Sequence, residues 1–164
     1  KQRIDILNEN ITAVQRDMTE SELYELYKSA DVLINPAMGE GFGLIPREFA
    51  ATGGVSLATP WSGTADDMNL WGWPLPYTLI PADWKGNKNL EGQPLGDWAK
   101  PDIEGIAGVL KDVAANIEEY QLTAWHNAQT LHDLYSWRAF AAGVYEIWQE
   151  VAIGYGNAKK PVLV

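Results

Sequence analysis

Three short segments in the first 60 residues have the apolar pattern of β-strands. In residues 10–18 (NITAVQRDM), apolar side chains roughly alternate with polar ones at Ile11, Ala13 and Val14, which indicates a short strand. The segments DVLINP (31–36) and VSLATP (55–60) are instead continuous apolar runs that end in a proline. Such runs predict strands that are covered on both faces, as in a parallel sheet.

Helical patterns separate these strands. Thr19 and Glu22 have the spacing of a capping box, and the apolar residues that follow recur at positions i, i+3, i+4 and i+7: Leu23, Leu26, Tyr27 and Ala30. A second helix is predicted over residues 44–52, ended by Gly53 or Gly54. The alternation of strand and helix predicts an α/β fold, with right-handed crossovers over a Rossmann-like parallel sheet.

The pattern changes after residue 60. Residues 60–100 are dense in Gly, Pro and Trp, and only YTLI (77–80) resembles a strand; the rest is expected to be an ordered loop held by aromatic side chains. Three helices should follow, the first opened by Pro101, the second over residues 117–133 and the third capped by Ser136. The last helix carries an apolar stripe that is expected to pack in the core: Trp137, Phe140, Ala141, Val144, Trp148 and Val151.

Composition fits one domain and excludes some partners. The 164 residues include 46% hydrophobic and 21% charged side chains, enough to bury a sizeable core. A formal net charge of −10 repels nucleic acid and anionic membrane surfaces. No cysteine is present, so disulfides and thiolate metal sites are ruled out. The chain opens without Met or a cap signal, and we expect a fragment whose missing part lies upstream.

The turn GEGFG (39–43) is the clearest candidate for chemistry. It follows a predicted buried strand and precedes a helix, and ligands of open α/β sheets bind at such turns. Gly41 and Gly43 would allow an anion to approach the amides of Phe42, Gly43 and Leu44, where the helix adds partial positive charge. The pattern predicts a site for a phosphate or pyrophosphate.

Two glutamates flank this turn. Glu48 lies about four residues into the helix, roughly 6 Å along its axis from the anion site, where its carboxylate can accept hydrogen bonds from ribose hydroxyls. Glu40 lies on the other side, where a group attached to the terminal phosphate would lie. Because both acids repel a phosphate, their presence favours a ligand whose neutral hydroxyls they bind. The arrangement suggests a nucleoside on one side and a sugar on the other.

The segment SADVLINPAMGEGFGLIPREFAATGGVSLATPWSG (29–63) resembles the C-terminal half of the retaining glycosyltransferases of group 1, also called family 4. The match rests on Glu40 and Glu48, separated by seven residues with Gly-Phe-Gly between them, and it extends from about residue 10 to 148. TPWSGTADDM, followed by DWAKPD, is similar to a subgroup that often handles mannose or other sugars in polysaccharide assembly. Val55 and the Ser62-Gly63 pair depart mildly from the family pattern.

The resemblance implies roles for individual residues. Glu40 would contact the donor sugar near the reacting face, as the catalytic residue, and Glu48 would bind the ribose. The residues between them would hold the pyrophosphate and complete the donor site: Gly41, Phe42, Gly43, Leu44 and Ile45. Three residues at the end of the preceding strand would border the nucleobase: Val14, Arg16 and Met18.

The family also implies an architecture and a reaction. Residues 1–164 would be the partial donor-binding domain of a GT-B fold, without its first strand–helix unit, its pyrophosphate-clamping Arg and Lys, and the N-terminal acceptor domain. The whole enzyme would transfer a hexose, with mannose one candidate, from a GDP-, UDP- or ADP-linked donor to a saccharide or lipid-linked acceptor with retention. Neither metal nor cofactor is implied. The location would be cytoplasmic, with the missing domain able to reach the membrane, and the isolated chain is expected to be inactive and to self-associate.

Other interpretations stay open. A non-catalytic nucleotide-sugar-binding module or a nucleotide-sugar epimerase would use a similar turn. We expect Arg47 to have a surface role, and Asp66 and Asp67 to form a turn or cap a helix rather than bind a metal. His126 and His132 should lie on different helix faces. Several tryptophans admit two interpretations: Trp61, Trp71 and Trp73 are the more open to facing a ligand, whereas Trp125, Trp137 and Trp148 are expected in the core.

Overall fold

The computed structural model describes residues 3–8, 10–82, 93 and 95–157. Its strands are β1 (Arg3–Asn8), β2 (Ile11–Gln15), β3 (Val32–Asn35), β4 (Val55–Ala58), β5 (Trp73–Pro74), β6 (Tyr77–Pro81) and β7 (Asp97–Pro101). Its helices are α1 (Glu20–Lys28), α2 (Leu44–Ala51), α3 (Ile103–Ala115), α4 (Ile117–Leu134) and α5 (Trp137–Asn157). Two short 3-10 turns lie between β4 and β5, at Ser62–Thr64 and Met68–Leu70.

A parallel sheet in the order β3-β4-β5 forms the centre of the fold, as the alternating pattern predicted. All four residues of β4 are buried, so this strand is covered on both faces. The same prediction is wrong for β3, which has no fully buried residue because it lies at the edge of the sheet with β4 as its one partner there. The strand at residues 11–15 exists, but it pairs antiparallel with β1 in a separate hairpin and not with the parallel sheet.

Helices cover both faces of this sheet. On one face, Val55 and Leu57 of β4 pack with Ile106 and Val113 of α3 and with Ala124 of α4. On the other face the Ser56 hydroxyl donates to the carbonyl of Pro46 in α2, and Ala58 of β4 packs with Ala50 of α2 and Leu131 of α4. The chain is therefore an α/β protein whose best-buried strand lies between layers of helix.

Local signals placed the first helices correctly. The Thr19 hydroxyl accepts a hydrogen bond from the Glu22 amide, and the Glu22 carboxylate accepts from the Thr19 amide, which is the predicted capping box of α1. Helix α2 begins at Leu44, and Gly53 follows its end with φ +87°, a conformation that glycine adopts without strain. Helix α1 nevertheless has no buried residue, so its apolar face is only partly covered.

The region between β4 and α3 contains more regular structure than the sequence predicted. The strand YTLI is present as part of β6, but β6 pairs antiparallel with β7, which the sequence analysis missed, as it did the two-residue strand β5. Pro101 does not open α3: it ends β7, and Asp102 caps the helix by accepting a hydrogen bond from the Gly105 amide at 3.1 Å. The burial of Trp71 also contradicts a ligand-facing role for that residue.

Helix α5 differs most from expectation. Ser136 caps it as predicted, since the Ala139 amide donates to the Ser136 hydroxyl at 3.1 Å. Its apolar stripe, however, is not in the core: Trp137 is 86% exposed, and Phe140, Val144, Trp148 and Val151 are also exposed. Trp125 on α4 is likewise exposed. The prediction of core packing is wrong here because, within the described chain, α5 packs chiefly on α4 and turns most of its apolar surface outward.

No described helix has both the length and the apolar character needed to cross a membrane.

Candidate functional site

The glycine-rich turn lies at the carboxyl end of the parallel sheet. Residues 36–43 follow β3, and residues 59–64 follow the neighbouring strand β4, so the two loops meet at one edge. The Ser62 hydroxyl accepts from the Glu40 amide at 2.8 Å and donates to the Glu40 carbonyl, which also accepts from the Gly63 amide at 3.0 Å. The loop after β4 therefore fixes the backbone of Glu40.

The two loops approach so closely that a side chain cannot fit between them at one position. A Cβ atom on Gly63 would lie 2.1 Å from the carbonyl oxygen of Gly41. Ser62, directly before it, has φ +55°, which is rare for a residue with a side chain. The turn at residues 40–43 is thus held by a loop whose own backbone is specialised for close contact.

The amide groups of the turn lie at the start of α2. Helix α2 begins at Leu44, as predicted, and Gly43 precedes it with φ +78°. Within the described part of the chain, no acceptor pairs with the amides of Gly41, Phe42, Gly43 or Leu44. Gly41 and Phe42 are exposed, Leu44 is 61% exposed, and the space around Gly41 is open, whereas Gly43 is buried beside Thr64. Unpaired amides at an accessible helix start can bind an anion.

Ile45, the next residue of α2, is also exposed. It stands in the first turn of the helix together with Leu44. Both side chains are therefore available beside the amide groups, which is where the sequence analysis placed them.

Arg47 has a different position from the one the sequence suggested. It is 6% exposed and lies under the turn, not on the surface. Its guanidinium group donates to the carbonyls of Gly43 at 3.3 Å and Gly63 at 2.9 Å, and it forms an ion pair with Asp67. The prediction failed because Asp67, twenty residues later, supplies the opposite charge that permits burial.

Asp67 connects Arg47 to the C-terminal helices. Its carboxylate accepts from Arg47, from the Trp71 indole at 2.9 Å and from the Tyr135 hydroxyl. Burial acts to raise the pKa of Asp67, but these hydrogen bonds and the charge of Arg47 outweigh it and hold the pKa below its usual value. The hydrogen bond to Asp67, and after it burial, raise the pKa of Tyr135. Asp67 is thus part of a partly buried polar network and does more than form a turn.

The two glutamates flank the turn as the sequence suggested. Glu40 is half-buried, and no described group bonds to its carboxylate. Glu48 is exposed, one turn into α2, and accepts a hydrogen bond from the Tyr27 hydroxyl at 3.3 Å. Burial, followed by the charge of Glu48, raises the pKa of Tyr27. Both carboxylates are therefore able to accept further hydrogen bonds from a ligand.

A cavity of about 460 Å³ adjoins α2 on the side of the C-terminal helices. Its walls include Phe42, Leu44, Arg47 and Glu48 from the turn and α2, together with His132 of α4 and Tyr135 directly after that helix. This volume lies within the range of about 300–1,000 Å³ typical of small-molecule sites. This cavity could not be predicted from the sequence, because its walls come from two segments that are at least 80 residues apart along the chain.

The residues predicted to border a nucleobase lie elsewhere. Val14 belongs to the β1–β2 hairpin, and Arg16 follows it and pairs with Glu22 at 2.8 Å. Neither they nor Met18 lines the cavity beside α2. The structure thus brings together the residues from Glu40 to Glu48 but does not join Val14, Arg16 and Met18 to them.

The histidines make separate contacts. His126 lies 2.8 Å from the Leu122 carbonyl of its own helix, and His132 lies 2.9 Å from the Ala51 carbonyl of α2. Across the described ranges, no three His, Cys, Asp or Glu side chains are grouped in a way that could hold a metal ion.

Comparisons with known proteins add no family to these observations. The chain matches no protein-family model, and neither the curated proteins nor the solved structures provide a match.

Proposed function

We propose that this chain is the donor-binding part of a retaining glycosyltransferase of the GT-B fold, which binds a nucleotide sugar at the turn after β3. The observation that carries the proposal is that no described acceptor pairs with the amides from Gly41 to Leu44 at the start of α2, with Glu40 and Glu48 on either side. Two flanking carboxylates would weaken a site that binds an anion alone, because each repels the anion. A ligand with a diphosphate between two hydroxyl-bearing rings fits both features.

The reaction is the one that the resemblance to the group 1 glycosyltransferases implies. The amides and the positive end of α2 stabilise the diphosphate as the bond between it and the sugar C1 breaks. The acceptor hydroxyl oxygen then bonds to C1 on the face that the nucleotide leaves, with retention, and the hydroxyl proton passes to the departing diphosphate. Glu40 binds hydroxyls of the hexose close to C1, and Glu48 binds the ribose. The donor is a GDP-, UDP- or ADP-linked hexose, and the acceptor is a saccharide or a lipid-linked sugar.

Ligand-observed NMR tests donor binding directly, because it detects weak complexes. Saturation transfer from the chain to UDP-, GDP- and ADP-hexoses should be strongest at the ribose and hexose protons of one donor, and pyrophosphate should displace it. Gly41→Val adds a branched side chain to the turn where the space is open, which the proposed diphosphate would occupy, and should abolish the signal. Gly108→Ala, in α3 with open space around it, is the matched control and should bind as the unaltered chain does.

Two outcomes would contradict the proposal. Equal saturation transfer with Gly41→Val would place the ligand elsewhere, and the absence of transfer to all three donors would remove the nucleotide-sugar assignment. If a donor binds, Glu40→Ala separates binding from transfer: an enzyme that contains this chain should lose turnover and still bind the nucleotide.

Binding without transfer is a second candidate, favoured by the state of Arg47. Its charge is already balanced by Asp67, so the turn receives no net positive charge from this side chain. A module of this kind would hold the nucleotide sugar and release it unchanged. Measuring nucleoside diphosphate release in the presence of saccharide acceptors distinguishes the two, since only a transferase produces it in step with the glycosylated product.

A further inference from the structure

We infer that Arg47 is the positioning residue of the anion site: it holds the glycine-rich turn in its binding shape without touching the ligand. This inference rests on the proposed function for its ligand. The guanidinium group lies between the two loops that form the site, bonded to the Gly43 carbonyl on one side and to the Gly63 carbonyl on the other. One side chain therefore sets the separation of these loops.

Aromatic contacts add to this restraint. The guanidinium carbon of Arg47 lies 4.1 Å from the centre of the Phe42 ring and 5.0 Å from that of Trp71. A cation over an aromatic face is attracted to it, and the attraction grows as water is excluded. Because Phe42 supplies one of the exposed amides, the position of its ring helps to fix the direction of that amide.

The donors of Arg47 are largely engaged already. An arginine has five N–H groups, and four hydrogen bonds are accounted for here: one to Gly43, one to Gly63 and two to Asp67. The side chain is 7% exposed and its charge is paired with Asp67. At most one N–H group is left over, so Arg47 acts on the ligand mainly through the backbone of the turn, although it lines the cavity beside α2.

The same network extends to the C-terminal helices. Tyr135 ends α4, donates to Asp67, and places its ring edge-on to Phe42 with 6.4 Å between ring centres. The exposed turn is therefore connected to the junction of α4 and α5 by contacts of side chains and not by the sheet alone.

The experiment combines pyrophosphate titration with the amide spectrum of the free protein. Arg47→Met keeps an unbranched side chain between the rings but removes the donors; it should weaken pyrophosphate binding at least tenfold and shift the Gly41, Phe42 and Gly43 amide resonances before ligand is added. Val113→Ala is the control, since it removes buried apolar volume on the other face of the sheet. This control should lower stability and leave both readouts unchanged.

Asp67→Asn tests the anchor of Arg47 through the amide spectrum. Because this change leaves the charge of Arg47 unbalanced, it favours an anion whether or not Arg47 touches it, so the strength of pyrophosphate binding does not decide between the two roles. If Arg47 positions the turn, the Gly41, Phe42 and Gly43 amides should shift before ligand is added. Arg47→Lys should recover little of the pyrophosphate binding that Arg47→Met loses, because an ammonium group cannot reach both carbonyls and the carboxylate at once. If Arg47→Met does not fold, the Gly41, Phe42 and Gly43 amide resonances are measured in Asp67→Asn and Tyr135→Phe instead.

The two proposals fail in different ways. If the unaltered chain binds neither pyrophosphate nor a nucleotide sugar, the proposed function is wrong, while the amide shifts of Arg47→Met still report on the turn. Unchanged Gly41, Phe42 and Gly43 resonances in Arg47→Met and Asp67→Asn would overturn the positioning role, whatever the ligand.

Discussion

Helices α2 and α5 have similar sequence patterns and opposite surroundings. Each has an apolar face. In α2 that face is buried between the sheet and α4: Phe49 is 1% exposed, and even Arg47 is enclosed. In α5 the corresponding face is open to solvent, with Trp137, Phe140 and Trp148 all exposed. The eight-residue helix is packed tightly, and the 21-residue helix is hardly packed at all.

The difference shows what an amphipathic pattern does and does not specify. The period of apolar residues identifies the face of a helix that favours burial. It does not say whether the described chain supplies a partner for that face. Helix α2 connects β3 to β4, two strands of one sheet, so chain connectivity places it on that sheet. No described strand follows α5, so connectivity does not place α5 on a sheet. Apolar surface of this extent on a folded chain commonly marks an interaction site.

Two tryptophans provide the strongest test of this comparison. Trp71→Ala removes a fully buried ring and should lower the free energy of unfolding by about 3–5 kcal/mol. Trp137→Ala removes a ring that is largely in solvent and should change it by no more than about 0.5 kcal/mol. Urea denaturation followed by circular dichroism measures both values under the same conditions. Similar losses in the two variants would mean that α5 is packed in solution, and the contrast would be lost.

Two glycine substitutions should change stability by less than the tryptophan variants do, one lowering it and the other raising it. Gly63→Ala forces a methyl group toward the Gly41 carbonyl and should destabilise the fold by about 1–3 kcal/mol. Gly143→Ala lies in α5 with open space around it and should increase helix content, worth about 0.5–1 kcal/mol within that helix. Thermal melts and helical ellipticity distinguish the two. A stable Gly63→Ala protein would show that the two loops of the site can separate at little cost.

Most elements were predictable where their signal is local. The capping box of α1 and Gly53 after α2 lie within or beside the helices they delimit, and the apolar runs of β3 and β4 are contiguous. The turn of the candidate site was predictable for the same reason, since its glycines and both glutamates fall within ten consecutive residues. Local chemistry thus indicated where α2 begins.

The remaining features depend on distant partners. Strand β7 has two charged residues among its five, and its pairing with β6 across a long connection is what makes it a strand. The burial of Arg47 requires Asp67. One signal for Arg47 was available, because helical spacing places it next to Pro46 and Ala50 on the buried face of α2. Whether α5 is covered could not be read from its sequence, since its pattern would be the same in either case.

The helix caps extend the comparison to effects of about 1 kcal/mol. Asp102→Ala removes the cap of α3, whose Ile106 and Val113 lie in the core, and should lower global stability by about 0.5–2 kcal/mol. Ser136→Ala removes the cap of α5 and should shorten that helix without moving the global unfolding midpoint. Amide hydrogen exchange followed by NMR measures both effects. Asp102→Ala should speed exchange throughout the core, whereas Ser136→Ala should speed it at residues 137–139 alone. A lower global midpoint for Ser136→Ala would contradict the view of α5 as a weakly coupled helix.

The smallest expected effect is on the pH dependence of stability, and it comes from the carboxylate of Asp67. Because the pKa of Asp67 is held below its unfolded value of about 3.9, the ionised form contributes stability at higher pH, and this contribution is lost as the pH falls through the folded-state pKa. Asp67→Asn should therefore give a flatter acid limb in a plot of unfolding free energy against pH. Tyr135→Phe removes one of the hydrogen bonds that lower the pKa and should move the loss to higher pH. If both variants follow the unaltered chain below pH 4, the carboxylate of Asp67 contributes nothing to the tight packing that distinguishes α2 from α5.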